Sequence, residues 1–144
     1  MSALGEKIEE AFVAMLQGTI PDVDVEPGNS SSELEYPYVT CSFESSEELH
    51  AGAGNYWCAV RVQAVSEALP KGVVRGDVAH DALFAKVCDV LHVDDLKAAI
   101  NTAATGLLVV GVKDQQESER EVGDRGDIEI FTSNYTVMIL AGHE

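Results

Sequence analysis

The chain has 144 residues, 46% of them hydrophobic, which is enough for one domain with a core and leaves no room for two. It carries 25 Asp and Glu residues against 9 Lys and Arg, a formal net charge of −16, which disfavours recognition of DNA or RNA because that affinity comes from neutralising phosphates. No apolar run approaches the ~20 residues that span a bilayer, and no signal-peptide pattern opens the chain, so we expect a soluble, intracellular protein with no membrane partner.

The first quarter of the chain predicts a helix and then an extended segment. Apolar residues recur at spacings of three and four over residues 2–17, which is typical of an amphipathic helix, with Glu9 among the carboxylates expected on its solvent side. Residues 20–25 predict a short strand between two prolines, and that composition favours the edge of a sheet. Residues 26–36 are rich in turn-forming residues and are expected to form a flexible loop.

Two alternating runs predict a β-hairpin at the centre of the sheet. Residues 38–44 and 55–67 alternate between apolar and polar side chains, so each strand is expected to bury one face. Residues 45–54 are polar, end in a glycine-rich run and are expected to connect the two strands. A one-residue slip would turn the apolar side chains towards water. Both apolar faces coincide when Phe43 pairs with Tyr56, Cys41 with Cys58, and Val39 with Val60.

The second half of the chain predicts two helices and two further strands. The wide apolar face of residues 77–92 predicts a mostly buried helix, and residues 95–102 predict a shorter one. The apolar run 106–112 predicts an inner strand, and residues 128–140 predict a last strand that is apolar on both sides. Residues 114–127, between these strands, are strongly charged and are expected to form a flexible loop.

The order of these elements defines the expected fold class. Helices and strands occur in segregated blocks, which is typical of an α+β protein. We therefore expect a single domain over residues 1–144, with a mostly antiparallel sheet of about four or five strands and two or three helices packed on one face.

The sequence shows no constellation that predicts catalysis, a cofactor or a metal site. No two histidines are spaced i, i+4, and none lies beside a plausible Ser or Cys nucleophile. Cys41, Cys58 and Cys88 all occupy apolar positions, as buried free thiols do, and no Cys-x-x-Cys pair supports a zinc site. We therefore expect a protein that is not an enzyme and that binds neither a cofactor nor a metal.

Two features are typical of a contact surface. Trp57 and Arg61 lie on the polar face of the central strand, and both residue types are enriched in interface hot spots, although Trp57 packed under a helix is an equal alternative. The segment 114–127 is long for a connection, and a solvated loop of this kind could become ordered on assembly. The candidate contact residues in this loop are Glu117, Glu119, Arg120, Glu121 and Asp124.

The order of motifs also carries a resemblance to a known family. The first helix is followed by Tyr-Pro-Tyr-Val at 36–39, and Asn-Tyr-Trp at 55–57 begins the long alternating strand. After the second helix come Leu-Leu-Val-Val-Gly-Val at 107–112, the charged loop and a closing strand. In this pattern, over most of its length, the chain resembles the tail terminator, or tail-completion (minor tail), proteins of long-tailed bacteriophages.

The resemblance implies a structural role in a virion. Members of that family are small α+β subunits that form a ring, typically a hexamer, at the head-proximal end of the tail tube. The ring ends tube polymerisation and offers a docking face to the neck, and the family has no catalytic residues. The implied partners are further copies of the chain, the tail tube protein, a neck or head-completion protein, and genomic double-stranded DNA that passes through the lumen without sequence recognition. The implied location is the tail or neck of the virion, and the host cytoplasm during assembly.

Three alternatives remain open at this point. The first is a neck or head-completion subunit on the portal side, which would differ only in its position in the particle. The second is an acidic intracellular module that binds a basic protein or mimics DNA. The third is a small enzyme, which the lack of a catalytic constellation makes the weakest of the three.

Overall fold

The computed structural model describes residues 2–28, 35–48, 54–69, 75–93 and 95–143. These residues form three helices and six strands. In chain order the elements are α1 (Ser2–Thr19), β1 (Asp24–Pro27), β2 (Tyr38–Glu48), β3 (Asn55–Glu67), α2 (Gly76–Leu91), α3 (Leu96–Ala103), β4 (Leu107–Glu117), β5 (Glu121–Arg125) and β6 (Ile128–His143).

All six strands belong to one sheet, whose order is β1-β2-β3-β6-β4. β5 continues the line of β4 along the same side of β6, because β4 pairs with the second half of β6 and β5 with the first half. Only β1 is parallel to its neighbour, so the predicted α+β fold with a mostly antiparallel sheet is confirmed, with six strands instead of four or five. The expectation that residues 106–112 form an inner strand is wrong, since β4 pairs only with β6 and lies at an edge.

The core lies between one face of the sheet and the three helices. Every second residue of β3 and β6 points towards the helices, so that Val60, Val62 and Tyr135 are at most 1% exposed. α1 contributes the apolar stripe that its sequence predicts, and Ile8 and Phe12 are completely buried. The apolar stripes of the helices pack against the apolar face that alternate strand residues form. Both element types therefore bury their apolar side chains in the same core.

The hairpin of β2 and β3 forms with the predicted faces but in another register. Phe43 pairs with Val60 and Cys41 with Val62, a shift of four residues from the predicted partners. An even shift keeps the same side chains on the core face, which is why the burial prediction survives the error. The polar residues 45–48, predicted as part of the connection, extend β2 beyond a bulge that follows Phe43. Residues 49–53 of that predicted connection, and residues 29–34 of the predicted loop 26–36, lie outside the described residues.

The charged segment 114–127 is mostly strand, so the expectation of a loop is wrong. Residues 114–117 belong to β4 and residues 121–125 form β5, which turns through Gly126 (φ 65°) into β6. Hydrophobic alternation cannot reveal such a strand, because all five residues of β5 are exposed and neither face is apolar. Backbone pairing with β6 holds the segment in place.

The structure also corrects the expectation that Glu9 lies on the solvent side of α1. Glu9 is only 8% exposed, and its Oε2 accepts a hydrogen bond from the backbone N–H of Phe43 at 2.8 Å. β1 ends at Pro27, opposite Cys41, so the next outward N–H of β2 has no strand beside it. The Glu9 side chain takes the place of the missing strand, because a buried N–H without a partner is costly.

The Glu9 contact predicts that truncating Glu9 lowers the stability of the protein more than truncating its neighbour Glu10. Glu9→Ala should lower the free energy of unfolding by about 1–3 kcal/mol, since the Phe43 N–H loses its acceptor. Glu10→Ala, on the exposed side of the same helix, should change it by less than about 0.5 kcal/mol. Urea unfolding of the two variants measures the difference, and equal effects would show that the contact contributes nothing.

A histidine is buried between α2 and the sheet. His80 is completely buried, and its Nδ1 and Nε2 lie 2.8 Å from Ser66 Oγ and 2.9 Å from Ser133 Oγ. Burial lowers the pKa of His80, Arg120 lowers it further, and Asp81 opposes them. The neutral ring can donate to one hydroxyl and accept from the other, so the folded state favours the uncharged form.

The buried ring predicts a specific loss of stability in acid. Below about pH 6.5 the unfolded chain takes up a proton that folded His80 resists, so the free energy of unfolding should fall as pH falls, by up to about 1.4 kcal/mol per pH unit. His80→Gln retains a donor and an acceptor for the two serines but has no proton to gain. Urea titrations between about pH 7.5 and 5.5 should give a shallower pH dependence for this variant. Parallel pH profiles would contradict the assignment.

Candidate functional site: the open face of the sheet

The sheet face opposite the core is the candidate site, and we call it the open face. Its central residues are Trp57, Arg61 and Gln63 on β3 and Thr136, Met138 and Leu140 on β6. All six are exposed or partly exposed, and the core residues of these strands point to the helix side. Val65, at the far end of the open face, is buried as well, with 2% of its surface exposed. Within the described part of the chain, no helix covers this face.

One end of the open face is apolar. Trp57 pairs with Leu140, and β4 runs so close to the indole that a Cβ on Gly111 would lie 3.5 Å from the ring. Lys113 Nζ sits 4.1 Å from the ring centroid, within the range of a cation–π contact. Leu108 is 47% exposed at the same end of β4, and Val110 is 46% exposed in the β4 bulge. Of the two predictions for Trp57, packing under a helix is therefore wrong, and the residue lies on the surface beside other apolar side chains.

The middle of the open face is polar. Arg61 forms an ion pair with Glu44 on β2, with Nε 2.9 Å from Oε1, and both side chains remain partly in water. A groove of about 590 Å³ lies beside this pair and brings three of the predicted contact residues together, namely Arg61, Glu117 and Glu121. The other residues that line the groove are Gln63, Gln116, Ser118, Asn134 and Thr136.

The remaining predicted contact residues lie away from the groove. Arg120 points to the helix side, where it bonds Asp81 of α2 at 2.6 Å and stacks 4.9 Å from the Phe131 ring. Glu119 and Asp124 are exposed, and neither has an ion-pair partner among the residues that the structure describes. The predicted residues are thus divided among several places. Arg61, Glu117 and Glu121 line the groove, although the Glu117 carboxylate itself bonds His92 at the end of α2. Arg120 holds the segment to α2, and Glu119 and Asp124 have no ion-pair partner among the described residues.

Sequence reasoning missed a second anchoring arginine. Arg125, at the end of β5, donates hydrogen bonds to the hydroxyls of Tyr36 and Tyr38, each at 3.2 Å. The two tyrosine rings lie 5.4 Å apart, and this cluster closes the end of the open face opposite Trp57. These contacts join positions 89 and 87 residues apart, so no local sequence pattern could have indicated them.

These anchors determine the electrostatics of the β4–β5 segment. Residues 114–129 contain seven acidic and two basic side chains, and both arginines are engaged with the body of the protein. The carboxylates that remain therefore give this edge of the sheet a negative surface, which attracts cations and repels other acidic surfaces.

A cluster of reactive residue types lies behind the segment, at the end of α2. His92 Nε2 lies 2.7 Å from Glu117 Oε1, and Cys88 is close to the same carboxylate. Burial and the nearby Glu117 raise the pKa of the Cys88 thiol to about 12, which leaves almost no thiolate at neutral pH. Among the residues described, no group of three or more His, Cys, Asp or Glu is placed to hold a metal ion, and no helix is long and apolar enough to cross a membrane.

Comparisons with known proteins found structural similarity but no sequence match. No family model matches the sequence, and no curated protein matches it. Among solved structures, a chain of the virion of a native gene transfer agent (GTA) particle is similar, with a TM-score of 0.53 and 14% sequence identity. The similarity covers 90% of this chain and 85% of that chain. At this identity the likeness shows a shared fold.

Proposed function

We propose that this chain is a structural subunit of a phage-like virion, and that it acts as a tail terminator. Several copies, six by analogy with the resembled family, form a ring at the head-proximal end of the tail tube. The observation that carries the proposal is the fold shared with a chain of a GTA virion over 90% of the length. The sequence pattern supports the same class of protein independently of that structural likeness.

The open face provides a reason for the chain to assemble. Trp57, Leu108, Val110 and Leu140 form an apolar area that no described element covers. Each 100 Å² of such surface that a neighbouring subunit covers contributes about 2.5 kcal/mol. Arg61 and Glu44 beside this area can exchange their ion pair for contacts across an interface. In a ring, one surface of each copy binds a different surface of the next copy. The ring closes when the rotations between successive copies add up to a full turn.

The mechanism of termination in this proposal is steric. The ring binds the growing face of the last tube layer and presents a different surface on its other side, to which no further tube subunit can add. A neck protein then binds that surface. The acidic exterior, with a net charge of −16 per copy, allows DNA to pass through the lumen without adhering, because like charges repel.

A neck or head-completion subunit on the portal side is the second candidate, since the same fold and charge suit it equally well. It would bind the portal assembly instead of the tube, so binding to isolated tubes separates the two. An acidic module that binds a basic protein is the third candidate, favoured by the net charge, and it would be a monomer with a soluble partner.

The proposal predicts a discrete oligomer that depends on the open face. Native mass spectrometry across a range of protein and salt concentrations should show a closed species of about six copies, favoured by higher salt because screening weakens repulsion between the acidic copies. Leu108→Asp places a charge in the apolar area and should shift the midpoint of assembly at least about tenfold higher in concentration.

Val78→Asp is the matched control for this experiment. Val78 is 55% exposed, but it lies on α2, on the other side of the sheet. The Val78→Asp variant should therefore assemble like the wild type. Unchanged assembly of Leu108→Asp would contradict a role for the open face. A monomer at every concentration that also fails to bind tube ends would contradict the terminator proposal itself.

A further inference from the structure

At several positions along the outer edges of the sheet, side chains from the helices form hydrogen bonds with backbone groups of the edge strands. Gln17 of α1 accepts from the N–H of Val25 on β1 at 3.2 Å, in the way that Glu9 caps β2. Asn101 of α3 makes two bonds of 2.8 Å with the N–H and C=O of Val109 on β4. Such caps prevent another chain from pairing with an exposed strand.

The outer edge of β5 has no such cap. β5 pairs only with β6, and no described donor or acceptor reaches the backbone of residues 121–125 from the other side. All five residues are exposed, and Val122 is 60% exposed. β5 therefore presents the unpaired N–H and C=O groups that an added strand requires.

The charges at this edge select what can pair there. Glu121 and Asp124 have no ion-pair partner among the described residues, while Arg125 is held by Tyr36 and Tyr38. A second copy of β5 paired in parallel would place like charges opposite each other, which destabilises strand pairs. Paired antiparallel, it would place Glu121 opposite Arg125, which is already engaged by the two tyrosines, and in both arrangements two chains of charge −16 repel each other. A segment with Lys or Arg side chains would instead neutralise the carboxylates.

We propose that the outer edge of β5 binds an extended, basic segment of a different protein as an added β-strand. The backbone of residues 121–125 supplies the hydrogen bonds, Val122 supplies an apolar contact on one face, and Glu121 and Asp124 select positive charge. This surface is separate from the apolar end of the open face. The inference therefore does not require the copies to form a ring.

A peptide assay tests the inference. The probe is a labelled peptide of about ten residues, long enough to cover β5, that repeats Val-Lys-Lys. This repeat places Lys on both faces of the added strand, because Glu121 and Asp124 lie on opposite faces of β5. One control replaces each Lys by Glu, and a second keeps the charge but is N-methylated on every backbone amide, so that it cannot donate to a strand. Binding is followed by fluorescence anisotropy, and amide exchange by NMR identifies the residues that the peptide protects.

The basic peptide should bind and slow amide exchange in residues 121–125, and both controls should bind at least about tenfold more weakly. The double variant Glu121→Gln, Asp124→Asn should weaken binding about fivefold. Its matched control, Glu6→Gln with Glu10→Gln on the exposed side of α1, should not change binding.

Three results would each overturn the inference. These are no binding at about 1 mM peptide, equal binding of the N-methylated peptide, or protection confined to residues outside β5. None of them alters the native mass of the chain without peptide. Failure of this inference and failure of the ring proposal are therefore distinguishable.

Discussion

The pairing of β3 with β6 determines the position of almost everything else in this protein. Thirteen residue pairs follow one another without a break, from Asn55 with Gly142 to Glu67 with Ile130. This unbroken register points Val60 and Val137 towards the helices and Trp57 and Leu140 towards the open face. Because side chains alternate along a strand, a slip of one residue would exchange the core and the candidate contact surface together. The core and the proposed assembly surface thus depend on the same set of backbone hydrogen bonds.

A sheet that is covered on one face only must satisfy its edges as well as its core. The helices contribute apolar side chains to the core, and they also send Glu9, Gln17 and Asn101 to strand edges. A polar side chain that a helical pattern assigns to the solvent side can therefore be needed inside the protein as a hydrogen-bond partner of a strand edge. The edge at β5, by contrast, is supported by Arg120 and Arg125 but left without a cap. Retaining an open edge at β5, in a sheet where helix side chains cap Val25, Phe43 and Val109, is consistent with a role in binding.

Much of the fold could be predicted from sequence because periodicity reports burial. The stripe on α1 and the alternation in β3 are direct records of which side chains face the core. Features that do not involve apolar burial could not be predicted in this way. β5 is exposed on both faces, and Glu9 is buried where it accepts from a backbone N–H. The register of β2 against β3 differs by four residues from the one that its apolar alternation suggested, and the bulge after Phe43 has no sequence signature. For the candidate site, the position of Trp57 and Arg61 on the uncovered face could be predicted from the strand alternation, and their contact role stays a prediction. Arg125 could not be predicted, because it bonds tyrosines far away in the chain.

The central claim is that copies of this chain assemble on the end of a tail tube through surfaces that the fold leaves uncovered. Electron microscopy of tubes polymerised from the cognate tail tube protein, with and without this chain, tests it most directly. The claim predicts shorter tubes in the presence of the chain, each with a ring of extra density at one end only. Tubes of unchanged length, or chains bound along the tube wall instead of at its end, would contradict it.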